Sequence, residues 1–231
     1  MRPAPTTPTA RPPAPDPRTR HLSWINDRPQ QVALQPTTFY NLDCAYCYLP
    51  GRASKSTMPV EVAELTAAGG RPVRIIWHAG EPLAPFEPLR AEGRVQQAVQ
   101  TNATLVDRRW CDLLAAHGVR VGVSIDGPRA LNARRVDRAG RAAFDRIVRG
   151  INALREHGVP FSVISLVSRE SLHAPEVLLD YLADLGCRSI DLNIEEHEGV
   201  NTSREVPKPD WCASAPRNAP TPPTSWLRCA T

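Results

Sequence analysis

Apolar and polar positions alternate in two different rhythms between about residue 57 and residue 194, and neither rhythm is present at the two ends of the chain. Thr57-Met58-Pro59 predicts a helix start, with Thr57 as N-cap and Pro59 in the first turn. Val60, Ala63, Leu65 and Ala67 fall partly on one face, and Gly69-Gly70 marks the stop. Val73–Trp77 reads as a strand running into the tight loop His78-Ala79-Gly80-Glu81-Pro82, and Arg94–Gln100 as a strand ending in Thr101-Asn102. A helix near Val106–His117 stops at Gly118, and the strand Arg120–Ser124 runs into the turn Ile125-Asp126-Gly127-Pro128. Phe144, Ile147, Ile151 and Leu154 recur at helical spacing within Ala143–His157, closed by Gly158. Phe161–Val167 is then a strand, Ala174–Leu185 a helix and Ser189–Ile194 a last strand.

Strands that alternate with helices, and are too apolar for a one-sided sheet, predict about five to six parallel βα units with helices outside. Ligands in such folds gather at the carboxyl ends of the strands, where loops vary without disturbing the sheet. Polar groups fall at those places: Gly80-Glu81, Thr101-Asn102, Ser124 with Asp126, and Asn193 with Glu195. One rim of the sheet is therefore expected to collect them.

Composition narrows the picture to a core with two tails. Residues 1–20 hold seven prolines and residues 204–231 hold six, with little aliphatic content, so a disordered leader over 1–30 and a disordered tail over 204–231 are expected around a folded core at 31–203. The net charge of +4 is mild and the arginines are scattered, which gives no case for nucleic acid. No run approaches the ~18 apolar residues of a membrane span, and the leader lacks a secretory apolar core. The expectation is a cytoplasmic chain with no membrane partner. Six cysteines, at 44, 47, 111, 187, 212 and 229, share no repeating spacing beyond the first pair, so reduced thiols are the default.

The densest chemistry lies in Gln35–Arg52, QPTTFYNLDCAYCYLPGR, which carries two thiols and three tyrosines. Cys44 and Cys47 form a C-x-x-C pair able to hold a metal or cluster, form a redox disulfide, or sit as buried small apolar residues. A zinc site would need a second C-x-x-C or an H-x-x-H, and the sequence has neither.

Four motifs in order favour the cluster among these readings. Tyr40 to Pro50, with Cys44, Tyr46 and Cys47, resembles the C-x-x-x-C-x-x-C cluster loop of radical S-adenosylmethionine (radical SAM) enzymes. Ala79-Gly80-Glu81-Pro82 resembles their G-G-E-P motif, Gln100–Thr104 their Q-T-N-G-T strand end, and Ser124–Pro128 their S-I-D-G-P turn. Within the superfamily the chain looks most like peptide maturases that carry a C-terminal Cys-rich (SPASM) domain, in particular the cyclophane-forming kind.

The resemblance implies a partial (β/α)6 barrel, a [4Fe-4S] cluster and S-adenosylmethionine, reductively cleaved to a 5′-deoxyadenosyl radical that modifies a precursor peptide. An electron donor such as a flavodoxin or ferredoxin is implied as partner. Carried over, Cys44 and Cys47 are cluster ligands, because thiolates are soft ligands for iron, and Tyr46 packs near the adenine. Gly80 lets the backbone approach the methionine part, and the Glu81 strand end faces its amino group. Ser124 hydrogen-bonds the cofactor, and Arg135 offers its carboxylate a fork. Thr101 and Asn102 belong to the cofactor rim by motif, or form only a strand-end turn.

The chain also departs from the family. The first cluster cysteine falls at Tyr40, and two thiolates with a phenol, whose pKa is near 10, are a poor donor set for the cluster. Weak or absent radical chemistry is therefore expected, the alternatives being a non-catalytic relative that binds S-adenosylmethionine or a peptide at most, or a C-x-x-C zinc or redox module. The first glycine of G-G-E-P is Ala79, a modest change unless φ there is positive. Three prolines at 82, 85 and 88 predict a crossover short of one helix, and the Cys-rich domain is not expected in the Pro-rich tail. Asp126 reads as a turn cap, Arg135 competes with a solvated basic face of Arg129, Arg134, Arg138 and Arg141, His78 reads as packing beside Trp77, and Cys111 and Cys187 as buried apolar residues.

Overall fold

Six strands lie side by side in chain order: β1 (Gln31–Leu34), β2 (Val73–Trp77), β3 (Val95–Thr101), β4 (Arg120–Ser124), β5 (Phe161–Val167) and β6 (Ile190–Ile194). Every neighbouring pair is parallel. The computed structural model describes residues 29–67, 73–84 and 95–195. Helices α1 (Val60–Ala67), α2 (Arg108–Ala116), α3 (Phe144–Glu156), α4 (Arg169–Leu172) and α5 (Pro175–Asp184) fall between the strands. The sheet curls into a partial (β/α)6 barrel.

Alternation along the strands creates two different faces. Val99, Val121, Val123, Phe161 and Val163 are buried in one core with Cys111 and Leu114 of α2, Ile147, Ile151 and Leu154 of α3, and Leu178 and Leu182 of α5. Each such aliphatic side chain contributes about 1.5–3 kcal/mol relative to leaving it in water. Alternate positions such as Gln100 and Ser124 line a cavity instead. The packing of α3 is close enough that a Cβ on Gly150 would stand 2.0 Å from the Ala103 carbonyl oxygen. Local caps set the helix starts: Asp107 accepts from the Trp110 N–H at 2.9 Å, and Ser168 and Ser171 form a reciprocal capping box that starts α4.

Several expectations need correction. Thr57 pairs with Thr37 in an antiparallel bridge instead of capping α1, which starts at Val60. Val60 is exposed while Ala63 is buried; the side chains of Leu65 and Ala67 lie outside the described residues. Strand β1 was not predicted, because four residues with one alternation give almost no periodic signal. His78 is exposed and lines the cavity. Leu192 and Ile194 of β6 are also exposed, against the expectation of two covered faces. Strands β2 and β3 pair in parallel although the crossover is short; most of its proline-rich part, with the missing helix expected there, lies outside the described residues. So do the expected leader, except Pro29 and Gln30, and the tail. No helix among the described residues is long and apolar enough to cross a membrane.

Candidate active site at the strand ends

The Cys44–Cys47 turn is clamped from both sides. Within it the Cys47 N–H donates to the Cys44 carbonyl at 3.0 Å. Arg52 donates through Nη1 to the Cys47 carbonyl at 3.0 Å and pairs through Nη2 with Asp43 at 2.7 Å. From the other side, Asp43 N–H donates to Val136 at 2.8 Å and Ala45 N–H to Arg134 at 3.0 Å. Burial raises the pKa of the Tyr40 phenol, with the Gly80 backbone acting in the opposite sense. The Cys44 thiol is likewise pushed up by burial, with Arg135 opposing.

Glu81 ties two strand ends together. Its carboxylate is fully buried and accepts from Thr101 Oγ1 at 2.6 Å, Asn102 N–H at 3.0 Å and Leu83 N–H at 3.2 Å. Burial raises its pKa against those three donors. Asn102 continues the tie, donating through Nδ2 to Asn41 at 2.7 Å, while Asn41 donates to Thr104 at 2.9 Å. Gly80 is at φ 66, and a Cβ there would stand 2.3 Å from the Thr37 carbonyl oxygen, so only glycine fits. Ala79 and Ala103, which stand where the two motifs have glycine, are at φ 68 and 59. Gln100 donates to Ser124 Oγ at 2.9 Å across the strand pair, in space that Gly122 leaves free.

Asp126 does more than cap a turn. Its Oδ2 accepts from Tyr46 OH at 2.7 Å and Arg135 Nε at 2.8 Å, and its Oδ1 from Arg135 Nη2 at 2.8 Å and Leu166 N–H at 2.9 Å. The guanidiniums of Arg134 and Arg135 lie 5.3 and 5.5 Å from the Tyr46 ring centroid, within cation–π range. Burial raises the Tyr46 pKa well above its usual value. Arg134 makes a two-point pair with Glu195 at 2.6 and 2.7 Å.

A cavity of about 160 Å³ opens between these groups. Tyr40, Cys44, Tyr46, Cys47, Gly80, Glu81, Thr101, Asn102, Ser124 and Arg135 all line it, so residues up to 95 positions apart in sequence share one space. The donor set suits a polar nucleoside–amino acid ligand, with Arg135, Ser124 and an aromatic ring facing one volume. It does not suit a [4Fe-4S] cluster held by three thiolates, because the third position carries the half-buried phenol of Tyr40. No group of three or more His, Cys, Asp and Glu side chains that could hold a metal ion occurs among the described residues. Cys44 and Cys47 thus supply two of the four ligands a structural zinc takes.

Three residues of the site carried no legible role in sequence, Asn41, Arg52 and Arg134, while Glu195 was expected only as a polar group on the strand-end rim. Only the C-x-x-C flanks hinted at Asn41 and Arg52. Cys111 is fully buried, whereas Cys187 is only partly so.

Residues 34–182 match the family described as the Radical SAM superfamily. An uncharacterized protein of Synechocystis, sll1766, is 33% identical over 77% of this chain and 50% of its own length. The serine-type anaerobic sulfatase-maturating enzyme of Klebsiella aerogenes is 29% identical over 69% of this chain and 45% of its own. The chain thus spans about half the length of the curated relatives it matches. Among solved structures, anSMEcpe with bound AdoMet superposes with a TM-score of 0.66 at 20% identity, covering 73% of this chain and 52% of the other. Streptococcus suis SuiB bound to precursor peptide SuiA gives 0.58 at 18% identity, covering 73% and 40%.

Proposed function

The chain belongs to the radical SAM superfamily, and we propose that it is a peptide-maturase-type domain that binds S-adenosylmethionine at its strand ends, with reductive cleavage impaired by Tyr40. The observation that carries this reading is the single cavity lined by the residues of all four motifs. The family's chemistry, when its cluster is bound, supplies an electron that splits S-adenosylmethionine into methionine and a carbon radical.

The chain's own residues would bind and orient the cofactor. Arg135 engages Asp126 through Nε and Nη2, which leaves the N–H groups of Nη1 for a ligand carboxylate. Ser124, already accepting from Gln100, can donate its own hydroxyl proton. Tyr46 offers an apolar ring beside the adenine, and Gly80 a side-chain-free backbone. Tyr40, kept protonated by burial, is a donor at the place where the family has a thiolate. A precursor peptide fits as the partner, as in the structural neighbour bound to one, and the electron donor would be a small redox protein of the flavodoxin or ferredoxin type.

The test is anaerobic reconstitution with iron and sulfide alongside calorimetric titration with S-adenosylmethionine. The wild-type chain should bind the cofactor yet retain well below the roughly four irons of a full cluster. Tyr40→Cys should raise iron content and restore the visible thiolate-to-iron absorption. A wild-type chain that holds a full cluster and cleaves S-adenosylmethionine as fast as Tyr40→Cys would refute the impairment. Absence of cofactor binding in both would refute the site.

A further inference from the structure

Arg134 makes three contacts at once, two of them to the Cys44–Cys47 turn and one to the end of β6. Its Nη1 and Nη2 donate to Oε2 and Oε1 of Glu195 at 2.6 and 2.7 Å. Its guanidinium carbon lies 5.3 Å from the centroid of the Tyr46 ring. Its carbonyl accepts from the Ala45 N–H at 3.0 Å. Ala45 and Tyr46 are the two residues between the cysteines. Glu195 comes immediately after β6 and is itself fixed, since its N–H donates to the Val167 carbonyl at 2.9 Å. The pair is shielded from water, with side-chain exposures of 15% for Arg134 and 1% for Glu195.

A two-point pair sets the plane of a guanidinium as well as its position. A guanidinium free to rotate would present Tyr46 with an averaged orientation; one locked by Glu195 presents one. Shielding makes the restraint strong, because an ion pair out of water is little screened. We propose that Glu195 is a positioning residue: acting through Arg134 it fixes Ala45 and Tyr46, and with them the Cys44–Cys47 turn, so that the point where the chain leaves the sheet shapes the cofactor cavity. The link to S-adenosylmethionine rests on the function proposed above, whereas the link to the turn stands on the geometry alone.

The experiment reads both links separately in the full chain. Glu195→Gln, Arg134→Lys and the double variant are compared with wild type by peptide-resolved alkylation with iodoacetamide, using Cys187, which precedes β6 at the end opposite Glu195, as internal reference. Local opening governs such reactivity. In each single variant Cys44 and Cys47 should react about tenfold faster, a loss of about 1.4 kcal/mol of restraint. Cys187 should not change, and the double variant should add nothing beyond the singles. Arg134→Lys keeps the charge and the carbonyl but loses the fork, so an effect there identifies the two-point geometry and not charge alone. Calorimetry should show a matching loss of S-adenosylmethionine affinity. Acceleration of all three thiols together, or of none, overturns the proposal by reducing the pair to general fold support. If the turn thiols respond as expected while wild type binds no S-adenosylmethionine, the positioning role stands and the cofactor reading fails.

Discussion

Arg135 grips Asp126 through two hydrogen bonds of 2.8 Å each, and both side chains are buried. The pair holds the Tyr46 hydroxyl and the Leu166 N–H in the same place, so it joins the Cys44–Cys47 loop to β5. Removing one partner leaves an uncompensated buried charge, a loss of about 3–5 kcal/mol. Asp126→Ala should therefore lower the free energy of unfolding, measured by urea denaturation, by that much. A loss under about 1 kcal/mol, in the range of exposed pairs, would show that the pair does not organise the site.

Ala79 and Ala103 sit in the left-handed region at φ 68 and 59. An L-residue with a Cβ pays about 1–2 kcal/mol there, while glycine has no such penalty but loses more chain entropy. Ala79→Gly should come out about 1 kcal/mol more stable, raising the thermal midpoint by about 2–4 °C for a chain of this size. Ala103→Gly should gain less, because Ala103 is fully buried and its methyl packs in the core. Scanning calorimetry that finds Ala79→Gly destabilising would contradict the strained backbone.

Gly150 is in the middle of α3, where alanine normally improves a helix by about 1 kcal/mol. Here a Cβ would stand 2.0 Å from the carbonyl oxygen of Ala103. The clash outweighs the propensity, since backbone cannot move aside as a side-chain tip can. Gly150→Ala is expected to destabilise by about 2 kcal/mol or more, measurable as an earlier chemical unfolding transition; a gain in stability would mean that α3 is free to shift.

Glu81→Ala would strand the hydroxyl of Thr101 and the N–H groups of Asn102 and Leu83 in the interior. Unsatisfied buried donors cost about 1–3 kcal/mol each, and a loss of about 3 kcal/mol follows if water reaches part of the gap. Hydrogen exchange should quicken first at Asn102 and Leu83. Uniform protection at those two amides in the variant would argue against the tie.

Asp137 links the loop at Leu42 to the 137–142 turn and accepts from the N–H groups of Arg141 and Ala139 and from the side chains of Arg141 and Arg146. The Arg141 N–H, followed by the other donors, holds its carboxyl down at about 2, with burial acting in the opposite sense. A depressed carboxyl favours the folded state above the ordinary value of 3.8, and that contribution disappears as pH falls through about 2. Melting curves between about pH 5 and about pH 2.5 should therefore fall more steeply for wild type than for Asp137→Asn. Parallel slopes would remove Asp137 from the acid response.

Much of the fold was legible because a strand or helix is written in the spacing of a few neighbours. Val73–Trp77, Arg120–Ser124 and Phe161–Val167 were placed at their observed bounds, and α1, α2, α3 and α5 within two residues of theirs. Four-residue β1 and α4 gave too few positions for a period to show. The site was legible as a set of residue types at strand ends: Gly80, Glu81, Thr101, Asn102 and Ser124 do share one cavity, whereas Asp126, Asn193 and Glu195 do not line it. Its bonding was not.

What the sequence determined by itself is the order of the βα units, the rim on which the motif residues meet, and the phenol in place of a thiol at position 40. Local periodicity and turn chemistry suffice for the first two, since each depends on residues close along the chain, while the third is read from the resemblance of the motifs to the family's. The tertiary structure alone decided that Ala79 and Ala103 are left-handed, that Asp126 is a hub, and that Arg134 is held by Glu195. Those outcomes depend on partners 61 and 80 positions apart in sequence, as with Arg134 and Glu195 or Tyr46 and Asp126. A charged side chain is equally content with water or a distant partner until folding removes the water and leaves one neighbour within reach.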